Sequence, residues 1–123
     1  MDLTIKKESF GQDDQSWLGS AHGTQSAQSI TLDVSTFTKA THYPDGWLKS
    51  GLPLQKLASG KYGLWVTTKD LAGFLLTTIQ APVLAATPVG GSLLEHGRVK
   101  VAKLPVAVDA TGQATASGRI IFA

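Results

Sequence analysis

Gly73-Phe74-Leu75-Leu76-Thr77-Thr78-Ile79, a loop holding Pro82 and Pro88, the pair Gly90-Gly91, and Gly97-Arg98-Val99-Lys100-Val101-Ala102-Lys103-Leu104-Pro105 form the stretch whose reading decides the fold. Both β-prone runs begin directly after a glycine, and breakers separate them, so the pattern predicts two strands joined through a Gly-Gly turn. Val99 and Val101 share one face while Arg98 and Lys100 share the other. The alternation slips at Ala102, which predicts a bulge or a strand end there, and Pro105 suits a strand exit. Neither run carries a recognisable catalytic group.

Outward from this centre the chain keeps the same character. Ile30-Thr31-Leu32-Asp33-Val34-Ser35 alternates strictly and predicts a strand with Ile30, Leu32 and Val34 on one face. Tyr43-Pro44-Asp45-Gly46 has the chemistry of a tight turn, and Leu48 to Leu54 reads as an extended, proline-limited segment. Lys61 to Val66 is a short strand candidate between glycine-marked turns. Asp109 is a fair N-cap for a short helix over Ala110 to Ala116, weakened by Gly112 and stopped by Gly118. Arg119-Ile120-Ile121-Phe122-Ala123 then predicts a terminal strand. The expected fold is mainly β with a short C-terminal helix: one compact, barrel-like domain.

At the other end, Leu3 and Ile5 alternate with Thr4 and Lys6 within Met1 to Phe10, which predicts a short strand. Gln12-Asp13-Asp14-Gln15-Ser16 follows with no apolar residue. A strand on such a tether has little to pack against, and ordering it costs roughly 1–2 kcal/mol per residue, so it is expected to wait for a partner. Trp17-Leu18-Gly19 is the next apolar island, and Trp17 with Leu18 is the candidate anchor of the arm. Residues 1–28 are thus expected to form an arm and linker, and residues 29–123 the β-rich domain.

Composition narrows the function classes. The 123 residues suit one domain. At 16% charged the chain lies below the usual quarter, which asks for a surface of small polar residues or one covered by a partner. Thirteen glycines and five prolines favour turns over long helices. The 11 basic and 9 acidic residues are scattered, with no basic stripe for nucleic acid. With no cysteine there is no disulfide, thiolate ligand or cysteine nucleophile. No apolar run approaches the 18 or so residues of a membrane span, and no signal-peptide pattern is present, so synthesis and retention in the cytoplasm is the expectation.

Sharper chemistry finds little support in the pattern. His22, His42 and His96 lie far apart in segments read as turns or loops, without the spacing of metal ligands. There is no nucleophile elbow, and Gly90-Gly91 has no following lysine or helix start to cradle phosphate. The chain is expected to be no enzyme and to use no cofactor or metal. A different class, a small β-barrel module binding carbohydrate or another ligand, would use Trp17, Tyr43, Trp47, Tyr62 and Trp65 as aromatic platforms; core anchors account for such residues more often.

The order of features resembles the bacteriophage head decoration proteins of the lambda type, especially those of phages with actinobacterial hosts. The matching residues are Gly73 to Leu76, Gly90-Gly91, Leu94, His96 to Val99, Leu104-Pro105, Gly118 to Phe122 and Ser16 to Gly23. These motifs are structural, and the Pro44 to Leu54 region departs from the compact prototype by its length. The resemblance implies a homotrimer on the outside of an expanded phage capsid, at threefold and quasi-threefold axes, cementing the shell against DNA pressure. It also implies that an N-terminal arm pairs with strands of the major capsid protein. Here that arm is Leu3, Thr4, Ile5, Lys6 and Lys7, whose alternation is what strand addition requires.

Overall fold

Phe74 and Leu75 are adjacent in sequence and both fully buried, so a strand of period two must send them into two different cores. A computed structural model describes residues 15–20, 27–84, 87–116 and 119–123 of the chain. Gly73–Leu75 forms β5 and Val89–Leu94 forms β7, paired antiparallel with Phe74 opposite Leu94 and Leu75 opposite Leu93. Phe74 and Leu94 face a cluster with Trp17, Trp65, Leu71, Val99, Val108 and Ile120. Leu75 and Leu93 face the other, with Ile30, Leu32, Val34, Leu48, Leu52 and Leu54.

The second set fills a closed five-stranded barrel of order β1-β4-β3-β5-β7, in which β1 is Gln28–Leu32, β3 Pro53–Lys56 and β4 Tyr62–Leu64. β1 closes it by pairing antiparallel with β7, Ile30 opposite Gly91, and parallel with β4 at Leu32 opposite Tyr62. Two small ladders flank the barrel: β2 (Trp47–Leu48) with β6 (Ile79–Gln80), and β8 (Gly97–Val99) in parallel with β9 (Ile120–Phe122). Among the described residues, two short α-helices complete the domain, α1 (Lys39–His42) and α2 (Ala110–Thr115). The mainly β, barrel-like expectation and the short C-terminal helix match this architecture.

Several local expectations are corrected. Gly90-Gly91 is no turn but part of β7, the longest strand among the described residues. A Cβ on Gly91 would lie 3.1 Å from Leu75 Cδ1 and 3.4 Å from Leu32 Cδ1, so the glycine gives the barrel side chains room. The Gly73 to Ile79 run splits into β5 and β6 as the chain leaves β7 to pair with β2. The strand from Ile30 stops at Leu32, because the Asp33 carboxylate accepts from the Ser35 amide at 3.1 Å and caps a 3-10 turn over Val34–Thr36. Val34 is still buried.

The slip at Ala102 is a strand end: β8 stops at Val99 and a 3-10 turn spans Val101–Lys103. The Leu48 to Leu54 segment is not continuously extended. β2 ends at Leu48, and a tight turn with Gly51 at φ 97° leads into β3. His42 ends α1 rather than lying in a loop, and its Nδ1 accepts from the Thr38 amide at 2.8 Å. The expected helix stop at Gly118 lies outside the described residues.

Asp109 caps α2 as its position suggested, accepting from the Gly112 amide at 2.8 Å. Gly112 itself has a packing reason: a Cβ there would lie 2.7 Å from Trp65 Cη2. Helix propensity favours Gly112→Ala by about 1 kcal/mol, whereas overpacking costs typically about 1–3 kcal/mol. Gly112→Ala is therefore expected to lower the urea midpoint; a rise would remove the close-packing account.

Candidate partner-binding surface

Residues 15–19 form a strap across the second core. Trp17 is 1% exposed, its ring centroid 5.6 Å from that of Phe74. Its indole Nε1–H donates to Ser50 Oγ at 2.9 Å, and that hydroxyl donates to the Leu76 carbonyl at 2.6 Å. The one polar atom of a buried indole is thereby satisfied, as burial requires. Gly51 lies beneath the ring, where a Cβ would sit 2.9 Å from Nε1.

The strap backbone is fixed as well. Lys100 N–H donates to the Trp17 carbonyl at 2.6 Å, Gly19 N–H to the Arg98 carbonyl at 2.8 Å, and Leu18 bridges antiparallel to Val99. Gln15 Nε2 donates to the Leu76 carbonyl at 2.7 Å, and the Gln15 carbonyl accepts from Leu18 N–H at 2.9 Å. Trp17 and Leu18, the candidate anchor, thus sit on β8, Trp17 buried and Leu18 half-buried. The candidate arm residues Leu3, Thr4, Ile5, Lys6 and Lys7 lie outside the described residues, as does His22.

Of the five aromatic residues weighed as a ligand platform, Trp17, Tyr43 and Trp65 are core residues. Trp65 Nε1 donates to the Lys69 carbonyl at 2.7 Å. Trp47 and Tyr62 are half-buried. Glu95 turns from its neighbour His96 to accept from Gln28 Nε2 at 2.7 Å. Among the described residues no three His, Asp or Glu side chains gather as metal ligands would.

A cleft of about 420 Å³ opens beside Gln55, Lys56, Asp70 and Arg119. Its Arg119 guanidinium is committed to the scaffold, donating to the carbonyls of Leu71, Ala72 and Glu95 at 2.7, 2.8 and 3.1 Å. At the surface, Asp45 pairs with Lys49 at 2.7 Å. The Lys49 ammonium, with the Trp47 amide, holds the Asp45 carboxyl below its ordinary range.

Two surface features escape sequence reading. From Leu71 to Leu94 the chain carries no charge, and within that span Val83 is 101% and Leu84 69% exposed. The outer edge of β9 has no neighbouring strand among the described residues. A charge-free run was visible in the sequence; which part of it would face water was not. Compared with models of protein families and with curated proteins, the chain matches none.

Trp17→Ala is expected to cost about 3–5 kcal/mol and Ser50→Ala about 1–3 kcal/mol in urea unfolding. The double variant should lose less than the sum, because the two share a hydrogen bond. The Asp45 pair has the opposite exposure. Because its folded pKa is lowered, its contribution is present above the ordinary carboxylate range and fades as pH falls through that lowered value. Asp45→Asn should thus lower the thermal midpoint slightly at neutral pH and low salt, and leave it unchanged in strong acid or high salt.

Proposed function

We propose that this chain is a non-enzymatic capsid decoration protein, binding as a homotrimer to the exterior of an expanded phage head. The observation that carries the reading is the strap: Trp17 is buried and hydrogen-bonded at the foot of a polar linker, and the alternating segment Leu3 to Lys7 lies ahead of it in the sequence. A rigid outlet behind a strand-forming tail suits β-augmentation of a neighbouring shell subunit, with backbone bonds giving affinity and alternate side chains giving register. The resemblance to lambda-type decoration proteins names the major capsid protein as that neighbour and the threefold and quasi-threefold axes as the place.

The charge-free, exposed apolar residues Val83 and Leu84 favour a chain that meets other protein surfaces. One short arm binds weakly; three on one trimer raise avidity by roughly 10²- to 10⁴-fold. The carbohydrate-binding reading needs exposed ring faces, and three of its five aromatic residues are buried.

Deletion of residues 1–10 should leave a folded domain and abolish co-sedimentation with expanded shells of the cognate capsid protein. Leu3→Asp with Ile5→Asp should do the same with the arm present. Undiminished binding by either variant would reject the arm as the shell contact, and light scattering that found only monomer at shell-like concentrations would count against the trimer.

A further inference from the structure

The cleft beside Gln55, Lys56, Asp70 and Arg119 gathers charge from three separate segments: the end of β3, the turn before β5 and the residue before β9. Backbone hydrogen bonds fix all three. Lys56 lies opposite Tyr62 in the β3–β4 ladder. Lys69 N–H donates to the Val66 carbonyl at 3.0 Å, and the Lys69 carbonyl accepts from the Trp65 indole at 2.7 Å. Ala72 N–H donates to the Leu54 carbonyl at 2.8 Å, Leu71 N–H to Thr115 Oγ1 at 2.9 Å, and that hydroxyl to the Gly112 carbonyl at 2.7 Å. The Arg119 guanidinium closes the frame through the Leu71 and Ala72 carbonyls. The fold itself sets where these charges attach, so a ligand meets them preorganised.

Charge in the cleft is unbalanced. Lys56, Lys69 and Arg119 share it with one carboxylate, Asp70. Among the described residues the only ion pair is that of Asp45 with Lys49, so Asp70 lies beyond ion-pair distance of all three cations. Arg119 donates to neutral carbonyls, which satisfies its N–H groups and leaves its charge uncompensated. Lys56, Lys69 and Asp70 are exposed, and a lysine ammonium on its flexible stem turns readily toward an incoming anion.

We infer that this cleft binds an acidic peptide segment of a partner protein, its carboxylates on Lys56 and Lys69 in the field of Arg119 and a peptide N–H on Asp70. The ligand must bring negative charge for the cations and a donor for the one carboxylate. A peptide with Asp or Glu side chains brings both. The phosphodiesters of a nucleic acid have no donor for Asp70 and are repelled by it, and among the described lining residues no aromatic ring offers a base a stacking platform. The volume of about 420 Å³ lies in the range of about 300–1,000 Å³ usual for small-ligand sites, room for a few side chains of a segment. Exposed ion pairs are individually weak and screened by salt, so the contact adds to a larger interface and selects partners by charge. This goes beyond the shell-binding reading and does not depend on it.

The test titrates the full ¹⁵N-labelled chain with a blocked pentapeptide of glycine carrying glutamate at its second and fourth positions. Saturable shifts of the Lys56, Asp70, Leu71 and Thr115 amide signals are expected, absent with the glutamine version of the peptide. Lys56→Gln with Lys69→Gln should weaken binding on the order of tenfold, the rest of the spectrum showing the fold intact. Lys100→Gln with Lys103→Gln removes the same charge outside the cleft and should leave the affinity unchanged. Shifts that never saturate, equal shifts with the glutamine peptide, or equal weakening by the two double variants would overturn the site. Inorganic phosphate or a single-stranded oligonucleotide moving the same signals at lower concentration than the acidic peptide would overturn the choice of ligand.

Discussion

The structure depends on one wall with two faces. β5 and β7 are shared by both cores, so their register must place Phe74 with Leu94 on one side and Leu75 with Leu93 on the other. A slip of one residue would exchange every side chain between the faces. Each of these four residues is buried, and full burial of such a side chain is worth roughly 1.5–3 kcal/mol. The wrong register would replace a filled barrel and a filled second core with voids and clashes together. Gly91 belongs to the same constraint, since the barrel side of β7 has room for hydrogen but little for a methyl.

The second core has no barrel around it and must be closed by parts drawn from both ends of the sequence. Trp17 comes from the strap, Val99 from β8, Ile120 from β9 and Val108 from the segment before α2. Arg119 ties this C-terminal region to the chain before β5 through the carbonyls of Leu71 and Ala72, and to the end of β7 through that of Glu95. The strap is consequently attached to the hydrophobic interior rather than to a surface loop. Trp17 seals this core and holds the strap against β8 through its carbonyl, which accepts from Lys100 N–H.

Patterns that depend on near neighbours were legible in the sequence. The alternation of Ile30 and Leu32, the cap at Asp109 and the turn at Pro44 to Gly46 all appear where expected, the last with the Gly46 amide bonded to the Tyr43 carbonyl at 2.9 Å. Patterns with two physical readings were not. A Gly-Gly pair serves a turn through its backbone freedom or a strand through its lack of a side chain, and only the position of Leu32 and Leu75 decides for the strand. Asp33 has a strand's alternation on either side, yet its carboxylate prefers the Ser35 amide. For the candidate surface, Trp17 stood out as an aromatic island, but that its indole would find Ser50 is a contact across 33 positions. That no described strand pairs with the outer edge of β9 was hidden, because a strand's neighbours are set by the whole topology.

Closure of the barrel has a consequence for recognition. Its five strands have no free edge, so among the described strands any affinity built on backbone pairing must come from the flanking ladders. The β2–β6 ladder is hedged by Pro44 and Pro82 and by the charged pair Asp45 and Lys49, features that discourage strand addition. Ile120-Ile121-Phe122 carries no such guard. An edge so composed either has a partner or invites indiscriminate pairing.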